Sequence, residues 1–179
     1  MGLYTPEQGE LRLDGRAMGA ADLQRYREHF SAVFADFFLF ESLLGADLLN
    51  VDDSARHYLT ALNLEHKVRV SGGVLSTVDL STGQRKRLAL LGAYLEDRPI
   101  CLFDEWAADQ DPHFKEVFYR RLLPELRARG KTLIVISHDD QYYDVADRIV
   151  HLDYGQVSFD GPAGEYLARP AAGMRALAV

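Results

Sequence analysis

The sequence predicts an α/β fold in which helices connect the strands of a parallel sheet. Two continuous apolar runs, at residues 99–103 and 132–137, have the pattern of strands that are buried on both faces. A helical stretch precedes each run and is long enough to connect two neighbouring parallel strands. Strands that alternate with helices in this way indicate a layered fold around a parallel sheet.

The first elements of the chain are short. Residues 10–15 alternate polar with apolar side chains and end in Asp-Gly, which predicts a strand followed by a turn. Residues 22–29 predict a helix, and residues 30–34 predict a strand that leads into an aromatic loop ending at Phe40. The alternation of helix and strand therefore begins here.

Two helices are expected in the middle of the chain. Residues 52–64 have an amphipathic pattern, with Asp52 or Asp53 as the cap. Residues 68–77 contain glycines and predict irregular structure. Residues 81–95 predict the second helix, because a serine at its start is followed by an uninterrupted run of helix-forming residues.

The last third of the chain adds one more helix and a hairpin. Residues 112–129 predict a helix that starts at a proline and ends at the C-cap Gly130. Residues 148–152 and 157–159 predict the two strands of a hairpin around a glycine. Residues 171–179 are rich in alanine and predict no defined element. Because no repeat or internal linker interrupts these elements, we expect one domain.

Composition excludes several classes of protein. The chain of 179 residues has a net charge of −7 and scattered basic residues, which argues against a nucleic-acid-binding protein. Cys101 is the single cysteine, so no internal disulfide is possible and a reducing compartment is expected. The N-terminus does not resemble a signal peptide, and no apolar run approaches the roughly 20 residues of a membrane span. We therefore expect that this chain does not cross a membrane.

The pentapeptide at residues 80–84 is the first candidate site. Ser81 stands at a predicted helix start and Gly83 follows it, which places backbone N–H groups and a hydroxyl at the positive end of a helix dipole. That end attracts phosphate. The alternative is an ordinary helix cap, with Ser81 bound to its own helix and no ligand.

Two consecutive acids, Asp104 and Glu105, form the second candidate site at the tip of the strand at residues 99–103. Asp104 would hold Mg²⁺, usually through water, because Mg²⁺ keeps much of its hydration shell. Glu105 would orient and polarise an attacking water. The alternative is a strand that runs into a solvated acidic loop.

His138 is the third candidate residue and follows the apolar strand at residues 132–137. A single histidine after a strand is often structural. Here, however, it is expected at the carboxyl edge of the sheet beside Asp104 and Glu105, and open parallel sheets bind their ligands at that edge.

Taken together, these residues resemble the ATP-binding cassette (ABC) ATPase family over nearly the whole chain. The order is signature helix, acid pair and histidine strand, with 104 − 81 = 23 and 138 − 105 = 33 residues between them. The resemblance implies a fold like that of the P-loop NTPases, with a RecA-like parallel sheet and a helical signature subdomain. It implies ATP and Mg²⁺ as ligands.

The resemblance also assigns roles to individual residues. It implies that Glu105 and His138 are catalytic, as the Walker B glutamate and the switch histidine, and that Asp104 is a metal ligand. The residues expected to contact nucleotide match the signature motif and the D-loop: Ser81, Thr82, Gly83, Gln84 and Asp111. Thr82 departs from the family pattern, because glycine is commoner at its position.

Two segments resemble one group within the family. Residues 80–91, LSTGQRKRLALL, and residues 104–119, DEWAADQDPHFKEVFY, look like the exporters of cyclic peptides, pyoverdine-type siderophores and lipopeptides. Trp106 and the run DQDP are unusual among cassettes. The resemblance implies a cassette fused behind a six-helix membrane domain, a peptide-derived cargo, and a place on the cytoplasmic face of the bacterial inner membrane.

The phosphate-binding Walker A loop, Gly-x-x-x-x-Gly-Lys-Ser/Thr after a strand, does not occur in these residues. Gly130-Lys131-Thr132 is a false match, because Glu125 replaces the first glycine and the run precedes a strand. By resemblance, residues 3–10 come soon after the Walker A helix. We therefore expect a domain truncated at its N-terminus, either as a fragment or by its reading frame, that alone neither binds nor hydrolyses ATP appreciably.

Within residues 1–179 we expect a helical and signature region at about 22–98, a core from Walker B to the H-loop at 99–160, and a C-terminal helix and tail at 161–179. The Q-loop departs from the family pattern. Its glutamine position holds Ala35, which has no polar side-chain atom. The next residue, Asp36, has a carboxylate suited to Mg²⁺, so we hypothesise that it takes over part of the metal contact. The alternative is that Asp36 only keeps an aromatic loop soluble.

The resemblance predicts the ATP-hydrolysing domain of an exporter that works as a head-to-tail dimer of two cassettes beneath the membrane domain. Two alternatives stay open at this point. The first is a soluble ABC ATPase, although the long insertions or basic surfaces of that class are missing here. The second is a truncated cassette without ATPase activity that serves as an interaction module.

Overall fold

The computed structural model of this protein describes residues 1–43 and 51–169. The strands in these ranges are β1 (Arg12–Leu13), β2 (Arg16–Ala17), β3 (Phe30–Val33), β4 (Val70–Ser71), β5 (Val74–Leu75), β6 (Ile100–Asp104), β7 (Thr132–Ile136), β8 (Arg148–Asp153) and β9 (Gln156–Pro162). The α-helices are α1 (Leu23–Arg27), α2 (Val51–Ala61), α3 (Thr82–Glu96), α4 (Pro112–Val117), α5 (Leu123–Ala128) and α6 (Ala163–Leu167). Short 3₁₀ turns lie at Ala20–Asp22, Trp106–Asp109 and Asp140–Val145.

The central element is a parallel sheet with the strand order β3–β6–β7. The predicted α/β class and parallel sheet are thereby confirmed. Val33 pairs with Phe103, and Asp104 pairs with Ile136, so the three strands end at one edge of the sheet. Whatever follows these strands is therefore brought together at that edge.

Helix α3 covers one face of the sheet and packs against α2 and β3. Its inward side chains are almost fully buried, with Leu91 at 0% and Leu88 at 2% exposure. With 15 residues it is the longest helix in the described ranges, and no helix there has the length and hydropathy that crossing a bilayer requires. The burial of α3 holds its first turn close to the residues that follow β6.

The predicted irregular segment at residues 68–77 instead contains a small hairpin of β4 and β5, so that expectation was wrong. A loop contact supports the hairpin, because Ser42 bridges to Val74. Asp52 or Asp53 was expected to be the cap of α2, but both lie inside its first turn. Asp52 instead accepts hydrogen bonds from Gly72 N at 2.8 Å and Gly73 N at 3.0 Å. These two bonds hold its pKa below the usual range.

The helix expected over residues 112–129 is not continuous, because a π-helical turn at Phe118–Leu122 separates α4 from α5. Pro124 lies in the first turn of α5 and has no N–H for the preceding turn, which favours a local change of hydrogen-bond pattern. Gly130 has φ of +79° and its N–H donates to Arg127 O at 2.9 Å, as its role as C-cap predicts.

The C-terminal hairpin was predicted correctly and consists of the antiparallel strands β8 and β9. Tyr166 of α6 is buried and packs against Phe159 of β9 with ring centroids 5.1 Å apart. The C-terminal tail expected up to residue 179 lies outside the described residues beyond Arg169.

Candidate functional site

Glu105 and His138 meet at the carboxyl edge of the sheet. Each residue follows its own strand, β6 or β7, and these strands are neighbours in parallel register. His138 Nε2 lies 3.1 Å from Glu105 Oε1. The histidine side chain is 89% exposed and the glutamate 43% exposed, so a ligand from solvent has access to both. The two atoms share one hydrogen bond at this distance, and the exposed sides of both groups can contact a water molecule.

The backbone of Glu105 is unusual because its φ is +47°, in the left-handed region. Such a conformation costs a residue with a side chain about 1–3 kcal/mol and persists only where neighbours hold it in place. Glu105 N donates to Ile136 O at 3.0 Å, and Glu105 O accepts from Ala108 N at 3.1 Å. A third group, Lys86 Nζ, lies 3.4 Å from the same carbonyl oxygen. These contacts direct the carboxylate towards His138.

Asp104 and Asp36 both lie at this edge of the sheet. Asp104 is partly buried at the end of β6, and Asp36 is exposed three residues beyond the end of β3. Within residues 1–43 and 51–169, no three His, Cys, Asp or Glu side chains stand close enough to hold a metal by themselves. A metal at this edge would therefore take further oxygen ligands from substrate or water.

The start of α3 is a capping box. Gln84 N donates to Ser81 Oγ at 3.4 Å, and Ser81 N donates to Gln84 Oε1 at 3.2 Å. Ser81 therefore caps its own helix, as expected for a serine at a helix start. Ser81 and Thr82 are exposed, and the N–H groups of a helix's first turn have no acceptor within the helix. The same turn thus keeps the positive end of the helix dipole open to an anion.

Asp111 is the N-cap of α4 and also binds α3. Its carboxylate accepts from Phe114 N at 2.9 Å and from Arg87 Nη2 at 2.6 Å. The Phe114 hydrogen bond, and to a lesser extent the Arg87 charge, hold its pKa below the usual range. Arg87 also stacks over the Phe114 ring at 3.8 Å. Asp111 is therefore firmly placed between the signature helix and the segment that follows the acid pair.

His138 stands on a supported turn. Tyr119 Oη lies 2.6 Å from Ser137 Oγ and donates to Asp139 Oδ2 at 3.2 Å. Lys115 forms an ion pair with Asp139 at 2.8 Å. Burial raises the pKa of Tyr119 to about 12, so its hydroxyl stays protonated near neutral pH. The residues on both sides of His138 are thus held while its own ring stays exposed.

Several contacts of the site were not predicted from the sequence. Gln110 Nε2 donates to Gly83 O at 3.1 Å, and Trp106 Nε1 donates to Lys86 O at 2.8 Å. Lys86 is 3% exposed and forms an ion pair with Asp109 at 2.7 Å. The helical period carried a signal for Lys86, because it shares a face of α3 with the apolar residues four and seven positions later. Nothing in the sequence indicated the partners of Gln110 or Trp106.

The comparison with protein families places residues 1–108 in the family described as ABC transporter. The match covers the first turn of α3, Asp104 and Glu105.

Two curated relatives are longer than this chain. The ATP-binding protein SyrD of Pseudomonas syringae pv. syringae is 54% identical over 162 residues, which cover 89% of this chain and 29% of SyrD. An ATP-dependent lipid A-core flippase of Dechloromonas aromatica is 32% identical over 177 residues, covering 92% of this chain and 30% of the flippase. The chain thus spans about a third of the length of these relatives.

The solved structure of a bacterial Atm1-family ABC exporter with ATP bound has a TM-score of 0.74 to this chain at 22% sequence identity. The superposition covers 96% of this chain and 32% of the exporter chain. The two chains therefore share a fold, as expected for the P-loop NTPase-like fold that the sequence predicts.

Proposed function

This chain belongs to the ABC transporter family, and from that membership we propose that it is the ATP-hydrolysing part of a longer exporter. The observation that carries the proposal is the contact of 3.1 Å between Glu105 Oε1 and His138 Nε2 at the open edge of the sheet. An exposed imidazole beside a partly exposed carboxylate at that edge suits the hydrolysis of a phosphoanhydride better than a structural role.

In this proposal Glu105 is the general base. Its carboxylate accepts a proton from the attacking water, and its fixed backbone directs it at the γ-phosphate. His138 donates a hydrogen bond to that phosphate and stabilises the charge that develops during attack. The turn around Ser137 keeps the imidazole in place, since Tyr119 and Lys115 hold both of its neighbours.

The donor set at this edge fits Mg²⁺. Asp104 and Asp36 supply hard carboxylate oxygens, which Mg²⁺ prefers, and Mg²⁺ is commonly held by one or two carboxylates together with substrate phosphates and water. An ion held here with ATP would neutralise part of the charge on the phosphates. Asp104 would hold it, and the exposed Asp36 would approach it from the neighbouring strand.

The proposed site is shared between two cassettes arranged head to tail. The exposed first turn of α3 supports this, because Thr82 and Gly83 can offer their N–H groups to a γ-phosphate bound on a second copy. Ser81 would add its hydroxyl to the same phosphate. Gln110 binds this turn through Gly83 O and follows Glu105 by five residues in the same copy, so that closing one site affects the other.

The aromatic loop after β3 is the proposed contact with the membrane domain. Phe38 and Phe40 are 75% and 59% exposed. They border a cavity of about 370 Å³ whose opposite wall is Leu88 and Gly92 of α3. An exposed apolar surface of this kind is a typical protein contact. The proposed location, on the cytoplasmic face of the bacterial inner membrane, rests on the resemblance to exporters.

The proposed cargo is a cyclic peptide, lipopeptide or peptide siderophore. The support is the resemblance of the segments at residues 80–91 and 104–119 to exporters of such molecules. The test is ATP-driven uptake of a labelled lipopeptide into inverted membrane vesicles that contain the full-length protein. Uptake that requires hydrolysable ATP is expected, whereas hydrolysis without movement of any peptide cargo would contradict an exporter of this class.

Asp36 gives a prediction that separates its two interpretations. If Asp36 contacts Mg²⁺, Asp36→Asn in the full-length protein should raise the Mg²⁺ concentration needed for half-maximal ATP hydrolysis by about tenfold. The amide keeps the size of the side chain but removes its charge. The measurement is the hydrolysis rate across a series of Mg²⁺ concentrations.

The matched control is Glu41→Gln, because Glu41 is an exposed acid on the same loop. Its Mg²⁺ requirement is expected to equal that of the unsubstituted protein. Equal Mg²⁺ requirements in the Asp36 and Glu41 variants would show that Asp36 only keeps the loop soluble.

A further inference from the structure

We infer that Lys86 is a positioning residue for Glu105 and that Asp109 anchors it. This role rests on the proposed function, since Glu105 acts as a base only if the chain hydrolyses ATP. Lys86 is one of three polar or charged residues that are buried in the described part of the chain. Its place in the fold is the second turn of α3, directly beneath the segment that follows β6.

The ammonium of Lys86 connects the two ends of that segment. It lies 3.4 Å from Glu105 O at the beginning and 2.7 Å from Asp109 Oδ2 at the end. The lysine side chain is 4% exposed and the aspartate 56% exposed. Lys86 therefore reaches out from the interior to a carboxylate at the surface, and the carbonyl of Glu105 lies within reach of the same ammonium.

The contact matters because of the left-handed backbone of Glu105. A residue with φ of +47° needs neighbours that hold both of its peptide groups. The strand neighbour Ile136 holds the N–H. The C=O accepts from Ala108 N at 3.1 Å and from the Lys86 ammonium at 3.4 Å, and Lys86 is the charged donor of the two. Without it the peptide between Glu105 and Trp106 is freer to rotate, which would turn the carboxylate away from His138.

Trp106 strengthens the same connection from the other side. Its indole donates to Lys86 O at 2.8 Å, and its ring is 1% exposed and packs on Phe118 with centroids 4.3 Å apart. The backbone of Lys86 is therefore bound to the residue after Glu105, while its side chain binds Glu105 itself. Both contacts hold Glu105, the proposed base, in a fixed position relative to α3.

The test compares Lys86→Met with a matched variant in the full-length protein. The methionine side chain is unbranched and only one atom shorter than that of lysine, and it carries no charge. We expect kcat for ATP hydrolysis to fall about tenfold to a hundredfold, because a displaced catalytic group loses that much, with KM for ATP changed less than about threefold. Hydrogen exchange of the amides at residues 106–111 should become faster.

The matched control is Lys131→Met. Lys131 forms a similar ion pair, 2.8 Å from Asp97 with exposures of 12% and 60%, but it lies at the opposite end of β7 from His138. Its loss should lower thermal stability without changing kcat or the exchange at residues 106–111. The double variant Lys86→Met/Asp109→Asn removes both charges, so it should fold well and still hydrolyse ATP as slowly as Lys86→Met.

The inference is overturned if Lys86→Met and Lys131→Met have equal kcat, if exchange at residues 106–111 is unchanged, or if the double variant regains the unsubstituted rate. If the unsubstituted protein itself does not hydrolyse Mg-ATP, the proposed function fails. The exchange comparison then still decides whether Lys86 orders the segment after β6.

Discussion

Replacing Glu105 with glutamine is expected to reduce ATP hydrolysis by the full-length protein about 10²–10⁴-fold while ATP stays bound, as removal of a general base does. The amide keeps the shape of the side chain. It can also keep the contact with His138 Nε2, which lies 3.1 Å from the carboxylate in the unsubstituted protein. It cannot accept a proton from water. Asp104 is still available as a metal ligand, so the affinity for ATP should be retained. Hydrolysis and retention of labelled ATP are the two measurements.

The control for this substitution is Glu28→Gln, because Glu28 is an exposed acid next to β3 and away from the acid pair. Its hydrolysis rate should be that of the unsubstituted protein. A near-normal rate in the Glu105 variant would show that another group takes the proton. His138 is then the first residue to substitute.

Replacing Gly83 with aspartate is expected to abolish the trapping of ATP by the Glu105→Gln protein. The new carboxylate would occupy the positive end of α3, where the γ-phosphate of the second copy is proposed to bind. ATP should still bind to one cassette but leave quickly, because the two cassettes no longer close around it. Labelled ATP retained after rapid gel filtration measures the difference.

Gly83→Asn separates charge from size. A Cβ at this position comes 3.4 Å from Asp109 O, which is a tight contact shared by both variants. Asparagine adds the same bulk without the charge, so it should retain substantially more ATP than aspartate. Equal retention by the two variants would mean that crowding at Asp109, and not a phosphate at the helix start, explains the effect.

The parallel sheet could be predicted because its strands carry their own signal. The runs before Asp104 and His138 are continuous and apolar, which is the pattern of strands buried on both faces. The hairpin of β4 and β5 could not be predicted, since two-residue strands depend on distant contacts. Here those contacts are the bridge from Ser42 and the hydrogen bonds that Asp52 accepts from the turn.

The candidate site, like the fold, was predictable in part. Glu105 and His138 follow strands that are parallel neighbours, so their meeting follows from the order of helices and strands. The contacts that hold them do not follow from it. Lys86 and Glu105 are 19 residues apart in the sequence, and Gln110 and Gly83 are 27 residues apart. Contacts at such sequence separations depend on how α3 packs on the sheet.

The shared site, which is the central claim, is tested most directly by mixing two inactive full-length proteins. One carries Glu105→Gln and the other Gly83→Asp. In a mixed dimer one site combines the intact Glu105 of the second protein with the intact Gly83 of the first. Co-assembly should therefore restore hydrolysis, to at most about a quarter of the unsubstituted rate if subunits pair at random. A mixture that hydrolyses ATP no faster than either protein alone would contradict a site shared between two copies.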